Sequence, residues 1–351
     1  MMVVLREGAS AEERAAVEHF LSELGGTGDC APTCLRSGAE EIYTVPSEQL
    51  SAAGYALLRA LPAVARVVSL ASPYVLASRA YRPVKTVVAV GSVRVGAGEP
   101  IIIAGPCSVE GEEQVTLAAH AAKDAGAQVL RGGAFKPRTS PYSFQGLGLR
   151  GVEMLARAGA EVGLPVVTEV MEPGLVPAVA ALADVLQIGS RNMQNFPLLR
   201  AVGRAGRPVL LKRGFASTID EWLLAAEYIL AEGNPNVMLC ERGVRGFDPH
   251  TRNLLDLAAV PLLARLTHLP VLVDPSHATG RRDLVVPLAV AAIAAGADGV
   301  MVEMHPNPDS ALSDAEQTIS PDALAELVAH GRAVHAALLA APTPTPNPVG
   351  T

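Results

Sequence analysis

The stretch IIIAGPCSVEGEEQVTLAAHAAKDAGAQVLRGG, residues 101–133, contains two short apolar runs separated by a segment of helix length. The runs IIIAG (101–105) and AQVLRG (127–132) are rich in Ile, Val and Leu, which is typical of parallel strands buried on both faces. Two parallel strands need a crossover between them, and a helix usually supplies it. The stretch therefore predicts an α/β fold built from βα units.

The same rhythm continues beyond this stretch. Eight strands are predicted in all, at residues 101–105, 127–132, 165–169, 184–189, 208–212, 236–241, 270–274 and 299–303. Eight successive βα units are the measure of a (β/α)8 TIM barrel, here over residues 101–340. A doubly wound sheet is the weaker alternative.

Residues 1–70 predict a small separate α+β domain. The apolar run MVVL precedes a helix that Ser10 and Glu13 open with the spacing of a capping box. The run EIYTV (41–45), a helical stretch at 47–61 and VARVVSL (64–70) follow. This βα(β)βαβ order predicts a ferredoxin-like domain, which could be regulatory.

Two further segments complete the predicted organisation. Residues 71–100 form a linker with the hairpin TVVAVGSVRVG, which is expected to plug or join the barrel. Residues 341–351 are Pro-rich and predict a disordered tail.

Composition excludes several classes of protein. The net charge of −7 and pI near 5.7 argue against a general nucleic-acid or anionic-membrane surface. Apolar runs are too short to span a membrane and the beginning of the chain lacks the order of a signal peptide, so a cytoplasmic location is expected. Four cysteines are too few for a disulfide framework; Cys30 and Cys34 could form a redox pair or metal half-site, but two unremarkable thiols are the simpler interpretation.

Polar side chains crowd the carboxyl ends of the predicted strands. In a barrel these ends share one mouth, where catalytic residues are found. The residues at these positions are Cys107, Arg131, Lys136, Arg138, Glu169, Arg191, Lys212, Glu241, Arg242, Asp274, His277, Glu303 and Asp314. One such residue would mean little, but so many at one mouth indicate a binding site.

Four of these residues predict a metal site, namely Cys107, His277, Glu303 and Asp314. They follow strands 1, 7 and 8, which are neighbours once a barrel closes. Sulfur, nitrogen and oxygen donors together suit a borderline divalent cation such as Mn²⁺, Fe²⁺, Co²⁺ or Zn²⁺. Taken singly, Cys107 could be a buried small residue and His277 a loop donor.

Six cations at the mouth predict anionic substrates: Arg131, Lys136, Arg138, Arg191, Lys212 and Arg242. A divalent ion with three anionic ligands adds about −1, which leaves roughly +5. Two phosphates and a carboxylate, at about −4 to −5, would balance that charge. Glu169, Glu241 and Asp274 are left out of this count because they could pair with some of the cations.

Six motifs, in order, resemble the 3-deoxy-D-arabino-heptulosonate 7-phosphate (DAHP) synthase family, and more closely its short microbial Iβ type. They are AGPCSVE (104–110), RGGAFKPRTSPYSFQGLG (131–148), QIGSRNMQN (187–195), LLKRG (210–214), CERG (240–243) and VDPSHATGRRD (273–283). The resemblance implies a barrel enzyme that condenses phosphoenolpyruvate with erythrose 4-phosphate, as the first step of the shikimate pathway to aromatic amino acids.

The resemblance also implies roles for individual residues. Cys107, His277, Glu303 and Asp314 match the metal ligands, with Mn²⁺ the preferred ion. The phosphoenolpyruvate site matches Arg131, Lys136, Arg191, Lys212 and Arg242. The erythrose 4-phosphate loop matches Arg138, Thr139 and Ser140. Lys136, near His277 and Cys107, is the candidate for proton transfer.

The resemblance further implies a homotetramer, and the N-terminal domain could bind an aromatic amino acid effector or a chorismate mutase partner. The segment GGTGDCAPTCLRSGAEE (25–41) departs from the family pattern, which leaves regulation open. Three other functions are weighed against the main one. They are the sister synthase that acts on arabinose 5-phosphate, a Schiff-base aldolase that uses Lys212, and a silent partner of chorismate mutase.

Overall fold

The computed structural model describes residues 1–25, 33–37, 40–44, 51–68, 72–136, 142 and 144–341. The N-terminal elements are β1 (Met2–Leu5), α1 (Ala11–Gly25), β2 (Thr33–Ser37), β3 (Glu40–Thr44), α2 (Ala52–Ala60) and β4 (Val64–Val68). Their strands form an antiparallel sheet in the order β2-β3-β1-β4, which is the ferredoxin-like arrangement. The predicted fold of this unit is confirmed.

Local capping fixes where the two N-terminal helices begin. The Ser10 backbone N–H donates to Glu13 Oε2 at 2.8 Å, and the Glu13 N–H donates to Ser10 Oγ at 3.2 Å, so the predicted capping box is present. The second helix begins at Ala52, later than residue 47, because Ser51 has extended backbone angles and its side chain accepts the Gly54 N–H.

Strand β1 joins the N-terminal unit to the rest of the protein because both of its faces are buried. Val3 and Leu5 pack with the helices of their own unit. Met2 and Val4 face the opposite way and belong to the same buried cluster as Tyr74 and the outer layer of the barrel. The unit therefore shares a hydrophobic core with the barrel. The boundaries proposed at residues 70, 100 and 340 remain predictions, and the tail from residue 342 lies outside the described residues.

The eight predicted barrel strands are all present, after a hairpin of β5 (Val88–Val90) and β6 (Val93–Val95). They are β7 (Ile101–Gly105), β8 (Val129–Arg131), β9 (Val166–Glu169), β10 (Val185–Ile188), β11 (Val209–Lys212), β12 (Val237–Glu241), β13 (Val271–Val273) and β14 (Gly299–Glu303). The helices around them are α3 (Glu112–Asp124), α4 (Leu149–Val162), α5 (Val176–Leu182), α6 (Phe196–Arg204), α7 (Ile219–Leu230), α8 (Ala259–Leu266), α9 (Pro275–Thr279), α10 (Arg282–Ala294) and α11 (Pro321–Ala340). Within the described ranges, none of the helices has both the length and the apolar character that a bilayer-crossing segment needs.

The parallel sheet closes because β14 pairs with β7, which makes the doubly wound alternative wrong. Side chains alternate between two apolar layers, with Ile101 and Ile103 inside the barrel and Ile102 beneath the helices. The predicted hairpin plugs the amino-terminal end, since Val88 and Val95 pack with the inner layer. Closure is tight enough that a Cβ at Gly105 would lie 2.1 Å from the Arg131 carbonyl oxygen.

Two side chains fix the linker that leads into the barrel, the half-buried Glu227 and the buried His268. Glu227 on α7 accepts the backbone N–H groups of Val75 and Ala77, both at 2.7 Å. His268, between α8 and β13, lies with Nδ1 2.7 Å from Thr86 Oγ1 and Nε2 2.7 Å from the Leu76 carbonyl oxygen. These hydrogen bonds attach the linker to parts of the barrel that lie far away in sequence.

Acidification will weaken the fold through His268. Burial, assisted by Arg82 and Arg79 and opposed by the Leu76 carbonyl, lowers the pKa of His268 to about 4. Because the unfolded chain takes up this proton more readily, the free energy of unfolding is undiminished above the ordinary pKa of about 6.5 and falls as the pH approaches 4. The loss between pH 7.5 and pH 5 should be about 2 kcal/mol.

Denaturant unfolding at those two pH values will measure this loss. The pH dependence should be shallower in His268→Gln, whereas His330→Gln, which changes an exposed histidine on α11, should behave like the wild type. Equal pH slopes for wild type and His268→Gln would contradict the assignment.

Candidate active site

A cavity of about 270 Å³ lies at the carboxyl ends of the barrel strands. Cationic side chains dominate its wall: Arg131, Lys136, Arg191, Lys212, Arg242 and Arg252. Five of these are cations that the sequence predicted for the site. The parallel strands place them together because all their carboxyl ends open at the same mouth.

One side of the mouth holds a cluster of possible metal ligands. The donor atoms of Cys107, Glu303 and Asp314 all lie within 4.8 Å of one another. Cys107 Sγ donates to Asp314 Oδ2 at 3.2 Å, although 207 positions separate the two residues. Cys107 and Glu303 are buried. A sulfur and two carboxylates so close together have the composition of a divalent cation site.

His277 lies against this cluster, held by a buried carboxylate behind it. Its Nε2 is 3.2 Å from Glu303 Oε1, and its Nδ1 is 2.7 Å from Asp274 Oδ2. Asp274 also caps α9 by accepting the His277 backbone N–H at 3.0 Å, and it pairs with Lys212. Burial would raise the pKa of Asp274, but His277 and Lys212 outweigh it and hold that pKa well below its usual range. The carboxylate thus orients the ring with Nε2 toward the cluster.

The charges around the cluster keep its carboxylates ionised. Burial opposes ionisation, but His277, the Cys107 hydrogen bond and Arg252 lower the pKa of Asp314 to about 2. The pKa of Glu303 is also lowered, against burial, by His277 and by Arg131, whose Nη1 is 2.8 Å from Oε1.

The Cys107 thiol behaves in the opposite way. Burial first, and the Glu303 carboxylate next, raise its pKa, although Lys136 Nζ lies only 2.9 Å from the sulfur. The neighbouring cations alone therefore do not produce a thiolate. A coordinated metal ion would do so, since a bound cation removes the proton from a ligating thiol.

Two arginines on the other side of the cavity have the character of an anion site. In the part of the chain that the structure describes, no carboxylate lies within ion-pair distance of Arg191 or Arg242. Arg242 is only 5% exposed, and burial lowers its pKa. Both guanidinium groups lie over the Phe215 ring, at 5.4 Å for Arg191 and 4.7 Å for Arg242. The Asp274 and Glu241 carboxylates act on Arg242 only from a distance, and a buried cation without a direct ion-pair partner favours binding of an anion.

The sequence profile of the DAHP synthetase I family matches residues 78–339. The chain belongs to this family. The phospho-2-dehydro-3-deoxyheptonate aldolase of Thermotoga maritima is 54% identical over 76% of this chain and 79% of its own length. The crystal structure of that organism's DAHP synthase covers 96% of this chain and 97% of its own, with a TM-score of 0.76 and 45% identity. A 2-dehydro-3-deoxyphosphooctonate aldolase of Nitrobacter hamburgensis is more distant, at 38% identity over 65% of this chain and 85% of its own length.

Membership of the DAHP synthetase I family confirms the predicted resemblance, the barrel fold and the enzyme class, 3-deoxy-7-phosphoheptulonate synthase. The roles of individual residues are not tested by these similarities and stay predictions. The structure brings together three of the four predicted metal ligands, places the fourth, His277, beside Glu303, and brings five of the predicted substrate-binding cations to one cavity. The remaining predicted residues, Arg138, Thr139 and Ser140, lie outside the described residues. Cys30 does too, so the proposed relation between Cys30 and Cys34 stays untested.

Three residues that the sequence did not assign to the site also lie there in the structure. Arg252, whose Nη2 is 3.3 Å from Asp314 Oδ1, lies on the loop after β12. Gln317 donates to Glu303 Oε2, while its own Oε1 has no hydrogen-bond partner within the described residues. Phe215 follows the LLKRG motif and packs against the arginines. In the sequence, only the position of Arg252 after a strand end indicates that it belongs to the site. Gln317 and Phe215 reach the site through tertiary packing, which the sequence does not show.

Proposed function

We propose that the chain condenses phosphoenolpyruvate with D-erythrose 4-phosphate and water, giving DAHP and inorganic phosphate in the first step of the shikimate pathway. The observation that carries this proposal is the division of one cavity into two parts. Cys107, Glu303, Asp314 and His277 provide metal donors on one side, while Arg191 and Arg242 on the other have no carboxylate within ion-pair distance among the described residues. The synthase activity requires both parts.

The donor set fits a divalent cation. The charges around Glu303 and Asp314 keep both carboxylates ionised, and the Cys107 sulfur lies 3.2 Å from Asp314 Oδ2. Gln317 Oε1, which has no hydrogen-bond partner within the described residues, adds a neutral oxygen beside Glu303. Mn²⁺ is our preferred ion because two of the donors are carboxylates, with Fe²⁺, Co²⁺ and Zn²⁺ as alternatives. When bound, the ion supplies Lewis acidity to an aldehyde oxygen.

The cations of the chain bind and orient phosphoenolpyruvate. Arg242 and Arg191 bind the oxyanions of phosphoenolpyruvate by bidentate hydrogen bonds. The Phe215 ring beneath both guanidinium groups keeps these groups aligned. Arg131 and Lys212 are already paired with Glu303 and Asp274, so they mainly couple the anion site to the metal donors. The distal phosphate of erythrose 4-phosphate is assigned to Arg138, Thr139 and Ser140, which remains a prediction.

Lys136 is our candidate for proton transfer. Its Nζ donates to the Cys107 carbonyl oxygen at 2.8 Å and to Sγ at 2.9 Å, so the ammonium group reaches the place where the donor cluster opens into the cavity. From there it can give a proton to the oxygen that gains charge as the new carbon–carbon bond forms. His277 and Cys107, the other candidate catalytic residues, would act beside it by holding the metal ion.

The alternative functions are less well supported. A Schiff-base mechanism needs a nucleophilic amine, whereas Lys212 Nζ is held in a buried ion pair with Asp274. A silent partner would not need the full set of donors and cations. The sister reaction on arabinose 5-phosphate uses the same kinds of group, but the relatives named for it are the more distant ones.

The assembly and its regulation are also part of this proposal. We infer a homotetramer, with the ferredoxin-like unit available for an aromatic amino acid effector or a chorismate mutase partner. The cytoplasm is the proposed compartment because both substrates are phosphorylated and cannot cross a membrane unaided.

A phosphate-release assay tests the proposed reaction. Phosphate should be released from phosphoenolpyruvate with erythrose 4-phosphate, the release should stop after chelation, and Mn²⁺ should restore it. Arabinose 5-phosphate should support little or no release. Absence of turnover with either sugar in the presence of Mn²⁺ would refute the proposal, and preference for the five-carbon sugar would favour the sister reaction.

A further inference from the structure

The distance between the Cys107 sulfur and the Asp314 carboxylate depends on two loops, one after the first barrel strand and one after the last. Cys107 follows β7 and Asp314 follows β14. Asp314 has a φ of +54°, and among the residues that the structure describes it is the one non-glycine residue with positive φ. Such a conformation is uncommon for residues other than glycine, although Asp adopts it more readily than most, and surrounding contacts stabilise it here.

Contacts on both sides of Asp314 hold this conformation. On the far side, Thr318 Oγ1 and the Gln317 N–H donate to the Asp314 carbonyl oxygen, at 2.9 and 3.2 Å. On the near side, the Leu312 N–H donates to Glu110 Oε1 at 2.8 Å. The Leu312 side chain is 61% exposed, whereas Ser313 beside it is buried, so the Glu110 hydrogen bond is one of the contacts that anchor this side.

Glu110 is itself firmly placed on the Cys107 loop. Its carboxylate accepts from Ser108 Oγ at 3.3 Å, and its backbone N–H donates to Gln114 Oε1 at 3.2 Å. Gln114 Nε2 in turn donates to the Ser108 carbonyl oxygen at 3.3 Å, which ties the loop to the first turns of α3. The Glu110 side chain is 11% exposed, and its bonds to Ser108 and Gln114 are partly buried, whereas its bond to the Leu312 N–H lies at the surface.

A second contact links Glu110 to the segment after β14. His305 Nδ1 accepts the Asn307 N–H at 3.0 Å, so a neutral His305 ring carries its proton on Nε2. That Nε2 faces Glu110 Oε2 at 3.7 Å and has no hydrogen-bond partner within the described residues. Glu110 therefore touches the β14 side at both of its carboxylate oxygens, but it touches none of the metal donor atoms.

We propose that Glu110 is a positioning residue for the metal centre. Its carboxylate fixes the loop of Asp314 against the loop of Cys107, and this sets the distance between the sulfur donor and the carboxylate donor. The inference rests on the proposed metal site. Loss of the anchor would let Asp314 relax to an ordinary backbone conformation and carry its carboxylate away from Sγ.

Cobalt titration of the metal-free protein tests this role, because thiolate-to-Co²⁺ absorption reports ligation by Cys107. Glu110→Ala should weaken Co²⁺ binding by about 10- to 100-fold and reduce the thiolate absorption. Glu110→Gln keeps an oxygen that can accept the Leu312 N–H and should recover much of the affinity. Glu112→Ala, which removes an exposed ion pair with Arg157 nearby, should match the wild type. Metal-free phosphoenolpyruvate binding should be the same in all four proteins.

The possible outcomes separate the inference from the proposed function. Absence of thiolate absorption in the wild type would refute the metal site and the inference with it. A normal wild type together with an unchanged Glu110→Ala would refute the inference alone. Equal loss of Co²⁺ and phosphoenolpyruvate binding in Glu110→Ala, with a lower thermal midpoint, would show general destabilisation and would also overturn the positioning role.

Discussion

Replacement of Cys107 by alanine will lower kcat by about 10³-fold or more, which corresponds to roughly 4 kcal/mol of lost transition-state stabilisation. The sulfur lies within 4.8 Å of the Glu303 and Asp314 oxygens, and its removal leaves two carboxylates without the soft donor. Phosphate release at saturating substrates and excess Mn²⁺ will measure the loss. Bound Mn²⁺ after gel filtration should fall in parallel.

Cys240 provides a matched control for this variant. It is equally buried, and burial raises its pKa to about 12, but it packs in the inner layer of the barrel away from the donor cluster. Cys240→Ala should therefore retain both Mn²⁺ and most of kcat while costing some stability through the cavity it leaves. If Cys107→Ala keeps its metal and its rate, Cys107 is not a ligand.

The barrel could be predicted because the sequence pattern that marks each strand lies within the strand itself. Each run such as IIIAG or PVLLK marks one strand by its own apolar composition, and all eight strands lie where the sequence placed them. The strand-end argument then found Cys107 and Asp314 together, because a closed parallel barrel leaves the carboxyl ends no other place to meet. The long separation in sequence did not weaken that argument.

The pairing among charged residues could not be predicted in the same way. Asp274 was left out of the charge count because it could pair with some of the cations, but the sequence did not show that its partners are Lys212 and His277. Arg252 was not assigned to the site, and its contact with Asp314 depends on the path of a long loop. Composition at a strand end shows which charges are present, but only the tertiary structure shows which of them neutralise one another.

Arg213 and Arg242 show this limit most clearly. Each stands beside another charged residue in a short motif, LLKRG or CERG, and each is buried. Arg213 Nη1 lies 3.0 Å from Glu241 and 2.9 Å from Asp256, so its charge is compensated inside the protein. Arg242 has no such partner within the described residues and lines the cavity. The strand-end argument placed Arg242 at the mouth, and its assignment to the phosphoenolpyruvate site came from the family resemblance and stays a prediction.

Replacement of Arg242 by methionine will therefore raise the KM for phosphoenolpyruvate by about 10²-fold, since a charge-assisted hydrogen bond contributes up to roughly 3 kcal/mol. The same change should raise the thermal midpoint of the ligand-free protein, because it removes a buried cation that has no direct ion-pair partner within the described residues. Arg242→Lys keeps the charge but loses the bidentate geometry and the flat contact with Phe215, so its KM should be intermediate. Steady-state kinetics and thermal unfolding will measure both quantities.

Arg213→Met is the contrasting variant, and the sign of its effect on stability should be opposite. It leaves the carboxylate of Glu241, which is fully buried, without its ion-pair partner, and this should destabilise the protein by about 3 kcal/mol. A higher thermal midpoint for Arg242→Met together with a lower one for Arg213→Met would show that Arg242 destabilises the ligand-free protein and contributes to anion binding. A fall in both would mean that Arg242 has a structural role, and unchanged KM in Arg242→Met would remove it from the phosphoenolpyruvate site.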